Sequence, residues 1–299
     1  MSGSTTAKEG GRDAPRPVAP GPVAIVAGGG SLPVEVARHA KAGGFDPLVV
    51  AIRGEADAAI AAFDPVWVEW GQIGRMISAI EARGCRDMVL IGGIGRRPEF
   101  GAMVSDMATL RRIPKILKAL IGGDGDVLDK VLRMIEDEGF RVIGAHEIAP
   151  QLLAGAGPLT ARKPNAARKQ DIAVAIGALD ALGAHDIGQG VVVANRRIVA
   201  VEAAEGTDSM LARCADLVES GRISRKAVPV LVKAAKPGQD QRVDLPAVGP
   251  RTVEGAKAAG LSGIAVEAGK VLIAEREATI AAADKAGLFV YGFERGRDG

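Results

Sequence analysis

Apolar residues along this chain come in short runs that stop at glycine and resume after a polar, helix-spaced interval. Val23 to Ala27 (VAIVA) ends at Gly28-Gly29-Gly30-Ser31, and Pro33 then opens an amphipathic stretch to about Ala42 before Gly43-Gly44. That order is strand, glycine turn, helix and stop. The pattern returns with PLVVAIR (47–53), PVWVEW (65–70), a helix over Ile73 to Ala82, DMVLIGG (87–93), a helix over Val127 to Glu138, and FRVIGAH (140–146). Strands alternating with helices predict the α/β class, with a parallel sheet covered on both faces. Right-handed crossovers make this N-terminal domain Rossmann-like, and ligands of such sheets bind outside the carboxyl ends of the strands. Those ends carry Gly28 to Ser31, Arg53, Gly92 to Gly95 and Ala145-His146.

The passage AGAGPLTARKPN (154–165) breaks the periodicity and reads as a linker between a domain over 21–153 and a second over 166–299. Beyond it the chain reads as α+β built mainly from local hairpins. A helix over Ala166 to Leu182 precedes VVV and IVAVEA, which flank Ala194 to Arg197 as a hairpin, and a helix is expected over Ser209 to Glu219. A strand over Val228 to Val232, a helix from Gly249-Pro250 to Ala259, and GIAVEAGKVLIAE as a second hairpin turning at Ala268 to Lys270 come next. A helix over Ala278 to Ala286 and LFVYGF close the chain. Residues 1–20, rich in Gly, Pro, Ser and charge, are expected to be a disordered tail.

Composition narrows the functions. A length of 299 residues predicts about two domains. A net charge of +2 and 3% aromatic residues supply neither the basic excess nor the stacking surface of a nucleic-acid binder. Cys85 and Cys214 are far apart and only three histidines are present, which argues against a zinc site or a disulfide framework and fits a reducing cytoplasm. No apolar run approaches the length of a membrane-spanning helix, so a soluble protein is expected, with room for a peripheral contact with lipid.

The densest polar cluster is KAAKPGQDQRVDLPAVG (233–249). Lys233, Lys236 and Arg242 are candidates to neutralise phosphate oxygens, and Asp240 and Asp244 to hold a hard cation such as Mg²⁺. The alternative is a solvated loop whose charges pair weakly. Glu205-Gly206-Thr207-Asp208 follows the first hairpin; Thr207 or Asp208 as a helix N-cap explains part of it, and the catalytic reading joins Glu205 and Asp208 to Asp240 or Asp244 around the metal. Gly28, Gly29, Gly30 and Ser31 stand where a dinucleotide fold places its phosphate turn, but Pro33 fills the third glycine position of G-x-G-x-x-G and Arg53 replaces the acidic residue after the second strand. G-D-x-x-D occurs as GDVLD (125–129), yet the companion histidine blocks of the binuclear metallophosphoesterases are absent, and Asp124 and Asp126 suit a helix start. His185 to Gly190 adds a polar turn, with His185 read as a surface histidine. No GxSxG, Walker A, HExxH or Nudix signature is present, which favours a metal-activated water over a side-chain nucleophile.

One ordered set of motifs goes further: G-G-G-S-L-P (28–33), G-G-I-G-R-R-P (92–98), G-D-G-D-V-L (123–128), D-I-G-Q-G-V-V-V (186–193), V-E-A-A-E-G-T-D (201–208), L-V-K-A-A-K-P-G-Q-D-Q-R-V-D-L-P-A-V-G-P-R-T (231–252) and A-G-L-S-G-I-A-V-E-A-G (259–269). From about Val23 to Phe293 the chain resembles the LpxI family of UDP-2,3-diacylglucosamine pyrophosphatases. The resemblance implies Mg²⁺-dependent hydrolysis of an acylated UDP-sugar to UMP and 2,3-diacylglucosamine 1-phosphate (lipid X) in lipid A biosynthesis. It also implies a Rossmann-like N-terminal domain, a family-specific C-terminal domain, substrate held between them and a homodimer; the expected location is the cytoplasm, with room for a peripheral contact at the inner membrane. Asp244, in Q-R-V-D-L-P, matches the family's essential aspartate, with Asp240 as its partner; Gln189, Thr207 and Gln239 join the glycine loop as candidate substrate contacts. Two other classes compete with this reading, an NAD(P)-dependent oxidoreductase and a non-catalytic nucleotide-sugar or lipid-binding protein.

Overall fold

The computed structural model describes residues 18–95, 124–224 and 226–296. The expected tail up to residue 17, and the family-like motif beyond Gly95, lie outside them. The first half runs β1 (Pro22–Ala27), α1 (Leu32–Ala42), β2 (Asp46–Ile52), β3 (Val66–Val68), α2 (Ile73–Ala82), β4 (Asp87–Ile91), α3 (Asp124–Asp137) and β5 (Arg141–Val142). Its sheet has the order β3-β2-β1-β4-β5, with every pairing parallel. Within β1, Val23, Ile25 and Ala27 face the core shared with α1, while Ala24 and Val26 face the core under α2. Burial on both faces is why the strands read as unbroken apolar runs rather than as alternation.

Where β1 and β4 end, the two glycine turns meet. Gly29 N–H donates to Gly93 O at 2.7 Å and Gly93 N–H returns to Gly29 O at 3.1 Å. A Cβ on Gly28 would stand 2.6 Å from Gly93 O, and Gly92, at φ +98, would bring one to 2.7 Å from the Gly28 carbonyl carbon. Only glycine lets two backbones approach this closely.

The second half runs α4 (Ala145–Ile148), β6 (Gly157–Pro158), α5 (Ala166–Gly183), β7 (Gly190–Ala194), β8 (Arg197–Val201), α6 (Gly206–Glu219) and β9 (Val230–Lys233). It continues through β10 (Ala247–Val248), α7 (Pro250–Ala258), β11 (Gly263–Glu267), β12 (Leu272–Ile273), α8 (Arg276–Ala286) and β13 (Phe289–Phe293). The six-stranded sheet is ordered β6-β13-β11-β9-β7-β8; β9, β11 and β13 are parallel, and β6, β7 and β8 run antiparallel to their neighbours. The hairpin of β7 and β8 forms as expected. Its turn residues Asn195 and Arg196 are left-handed (φ 50 and 63), held by the Arg196 N–H on buried Asp171 at 2.6 Å. The Gly/Pro-rich passage expected as a linker carries β6, an edge strand on β13.

The second expected hairpin does not form. Both edges of β11 are taken by parallel partners, β9 and β13, so the chain after Lys270 cannot fold back onto it. Instead β12 leaves the sheet and pairs in parallel with β10, and Leu272 enters the core on the α1 face of the first sheet. Residues 242–248 bind that sheet too. Val243 packs into the core on the α2 face and Leu245 into the core on the α1 face, while Arg242 reaches Glu136 at 2.6 Å. Between the halves, the Glu275 N–H also donates to both oxygens of buried Glu35, at 2.9 and 3.0 Å.

Gly28→Ala is expected to cost about 1–3 kcal/mol of unfolding free energy through backbone crowding, whereas Gly30→Ala, with open space around it, meets only the left-handed strain of its φ of +90. Urea midpoints of the two variants measure this; an unchanged midpoint for Gly28→Ala would remove the close-approach explanation.

Candidate functional site

Lys233 is the last residue of β9, and strand alternation puts it on the same face as Leu231, under α6. It is only 4% exposed. Its Nζ donates to Thr207 Oγ1 at 2.5 Å and stands 3.5 Å from Glu202 Oε2. Thr207 in turn donates to Glu202 Oε1 at 2.8 Å. Burial pushes the Lys233 ammonium below the ordinary lysine range, opposed chiefly by Glu202 and then by the charges of Asp208 and Asp244. Thr207 and Asp208 were expected as helix caps. The helix instead begins at Gly206 with Glu205 at the N-cap, placing both in its first turn.

After β9 the chain turns through Pro237-Gly238 and lays out the rest of the polar cluster. Lys236 Nζ pairs with Asp186 at 2.5 Å, and Gln239 Oε1 accepts the Lys236 N–H at 2.9 Å. Asp244 is held between two amides: Gln189 Nε2 donates to one oxygen at 3.3 Å and Gln239 Nε2 to the other. Asp240 and Arg242 form a forked pair, with Nε at 2.9 Å and the second nitrogen at 2.6 Å, and the same guanidinium spans to Glu136. Hydrogen bonding to Asp240, then to Glu136, raises the Arg242 pKa above its already high value. Such a fork is a strong and directional contact.

The structure thus brings Lys233, Thr207, Gln189, Gln239 and Asp244 into one neighbourhood, but it does not gather the four carboxylates expected to share a metal. Glu205 pairs with Arg213 at 2.7 Å and Asp208 with Arg251 at 2.6 Å, both near the surface, while Asp240 serves Arg242. The Glu205 carboxyl is lowered below its ordinary pKa by its own backbone N–H first and by Arg213 after that. Among the described residues, no three His, Cys, Asp or Glu side chains assemble a site for a metal ion. Asp244, whose two oxygens accept from the neutral amide nitrogens of Gln189 and Gln239 rather than from an arginine, is the one of the four carboxylates through which an oxygen-seeking ion such as Mg²⁺ would be held.

The glycine loop is also committed internally. Gly28 N–H donates to Ile91 O and Gly29 N–H to Gly93 O, so neither amide is free for a phosphate; Gly30 and Ser31 complete the turn into α1. Arg53 pairs with Glu69 at 3.4 Å and lies over the Trp67 ring at 5.5 Å. His146, on the short helix α4 that follows β5, keeps its Nδ1 buried without a hydrogen-bond partner among the described residues, and burial lowers its pKa.

Glu202 is the residue the motifs did not single out. Its signal was present in the order V-E-A-A-E-G-T-D, where it directly follows β8. Nothing in that string separates a buried carboxylate from the exposed Glu205 three positions on.

Comparison with known proteins covers both halves of the chain. The family description LpxI N-terminal domain matches residues 22–152 and LpxI C-terminal domain matches residues 155–291. A curated relative, UDP-2,3-diacylglucosamine pyrophosphatase LpxI of Caulobacter vibrioides, is 43% identical over 272 residues, covering 90% of this chain and 96% of the relative.

His146 generates a pH prediction. Its folded pKa lies below the unfolded value of 6.5, so the unfolded chain takes up the proton first, and stability is lost as pH falls from 6.5 toward the folded pKa. Urea midpoints of wild type and His146→Gln, compared above and below pH 6.5, should show a smaller acid loss in the variant; equal losses would refute the assignment.

Proposed function

The chain belongs to the LpxI family, and from that premise we propose that it hydrolyses the diphosphate of UDP-2,3-diacylglucosamine to UMP and 2,3-diacylglucosamine 1-phosphate. The observation that carries the reading is the correspondence of both domains to that family, at 43% identity to a pyrophosphatase over nearly the whole of each chain. Asp244 is its chemical centre. Its carboxylate is fixed from both sides by Gln189 and Gln239, in the cluster after β9 that also holds Lys236.

Cleaving a diphosphate demands neutralisation of the phosphate charge and orientation of an attacking water, which is mostly positioning and electrostatics. Asp244 would hold Mg²⁺ together with the substrate phosphates, and the ion, when bound, would supply charge neutralisation and a more acidic water. The chain's own residues divide the remaining work. Gln189 and Gln239 orient the carboxylate, and the buried Lys233 ammonium supplies a fixed positive charge whose field reaches Asp244. Lys236, paired with the exposed Asp186, can exchange that partner for a phosphate oxygen. Arg242, tied to Asp240 and Glu136, acts as a strut that places Asp244 against the first sheet. Asp240 is thereby a partner of Arg242 before it is a ligand.

An acylated substrate brings the reaction to a lipid surface, which supports a peripheral contact with the inner membrane from the cytoplasmic side. No described helix is long and apolar enough to cross a membrane. Homodimerisation is carried over from the family resemblance. The oxidoreductase alternative loses its support, because the amides of Gly28 and Gly29 that would cradle a dinucleotide phosphate are already bonded within the chain.

Asp244→Ala is expected to reduce UMP release by about 10³-fold or more with the thermal midpoint little changed, and EDTA to stop wild-type turnover until Mg²⁺ is restored. Turnover that survives either treatment would overturn the role given to Asp244 and the metal. Hydrolysis in ¹⁸O-labelled water should place the label in the acylated sugar phosphate, as expected for attack on the sugar-side phosphorus, and label in UMP would reverse that assignment.

A further inference from the structure

We propose that Glu202 is a positioning residue for this reaction: anchored in a slot walled by glycine, it holds the Lys233 ammonium and the Thr207 hydroxyl as one unit and fixes the turn that carries Gln189. This deepens the proposed pyrophosphatase reading and rests on it.

The slot is built from two glycines. Glu202 donates its backbone N–H to Gly190 O at 2.8 Å. A Cβ on Gly190 would stand 2.4 Å from Glu202 Oε2, and one on Gly188 would stand 1.9 Å from Glu202 O. A Cβ at 188 meets the backbone of residue 202 and one at 190 meets the Glu202 carboxylate, so the two glycines of D-I-G-Q-G allow a close backbone approach on one side and the buried side chain on the other. Gln189 lies between them, and its amide is one of the two that hold Asp244. Glu202 is therefore linked to the Asp244 carboxylate through the Gly190 backbone and the side-chain amide of Gln189.

On its other side Glu202 sets charge. One oxygen accepts from Thr207; the other is buried, has no hydrogen-bond partner among the described residues, and stands at ion-pair distance from Lys233. A buried ammonium is tolerated only beside an opposite charge, and Glu202 is the group that most favours the charged form of Lys233. The groups facing the ammonium are Glu202 after β8, Thr207 and Asp208 on α6, and Asp244 in the loop after β9; Glu202 is the strongest of those that favour its charge. With Glu202 neutralised, burial pulls Lys233 toward the uncharged amine, and Asp244 loses a facing positive charge.

The test uses the full-length protein. Glu202→Gln keeps shape and an oxygen acceptor for Thr207 but removes the charge. UMP release from UDP-2,3-diacylglucosamine with Mg²⁺ is expected to show kcat lowered by about 10²-fold with KM nearly unchanged. The basic limb of the kcat profile should move about one pH unit or more toward neutrality. Glu202→Asp, which retains the charge, should return that limb toward its wild-type position. Independently of activity, the NMR titration of the Lys233 side chain in protein without substrate should shift to lower pH in Glu202→Gln. If that variant does not fold, Thr207→Val, which removes the hydroxyl shared by the pair, is expected to lower kcat by about tenfold or more with KM nearly unchanged. A lowered melting point with the pH profile and the Lys233 titration unmoved would reduce Glu202 to a structural role and overturn the proposal. Absence of UMP release by wild type would overturn the pyrophosphatase reading alone, leaving the Lys233 titration to decide the pairing.

Discussion

The passage of residues 242–248 across the side of the first sheet is the constraint on which the site depends. Val243 and Leu245, two positions apart, pack on opposite faces of that sheet, and Asp244 lies between them. Neither contact is large, since both side chains are only partly buried, but with one on each face they fix the direction in which the residue between them points. Arg242 locks the entry with a fork to Asp240 and a reach to Glu136 and the Val142 carbonyl. β10 and β12 lock the exit by pairing in parallel, with Leu272 seated in the first domain's core. The carboxylate proposed for catalysis sits on a loop, and a loop group acquires its precision from such rigid supports.

Charge in this site is organised by pairing rather than by gathering. Three of the four carboxylates expected at a metal have an arginine each: Glu205 with Arg213, Asp208 with Arg251, Asp240 with Arg242. Pairs at the surface contribute little to stability. The buried pair of Lys233 and Glu202 is different in kind, because losing either partner strands a charge away from water. Its placement at the end of β9, beside the residues that hold Asp244, suits a reaction in which negative charge must be met without reorganising the protein.

The glycines follow the same logic of close approach. Those at 28, 29, 92 and 93 allow two turns to hydrogen bond at the ends of β1 and β4, and those at 188 and 190 admit Glu202. In the first case a loop that resembles a phosphate cradle by composition spends its amides on its neighbour. The N-terminal domain therefore contributes a wall and a platform, while the polar side chains of the site come from the second half.

Local pattern was enough for most of the longer elements and for the family, though not for β6 in the expected linker or for β10. Apolar runs bounded by glycine marked the five strands of the first sheet, because parallel strands buried on both faces leave an uninterrupted signal. The hairpin of β7 and β8 was legible because its partners are adjacent and its turn is short. Lys233, Asp244, Gln189, Thr207 and Gln239 stood out as polar residues at strand ends and turns. What local pattern could not convey was partnership between distant residues. GIAVEAGKVLIAE has the form of a hairpin, yet β11 pairs with β9 and β13, since nothing local states that both its edges are filled. Glu202 and Glu205 are equivalent as letters; tertiary packing buries one beneath Lys233 and leaves the other on an arginine at the surface. Burial and pairing arise only when segments far apart in the chain share one space, and that sharing decides which charges become chemistry.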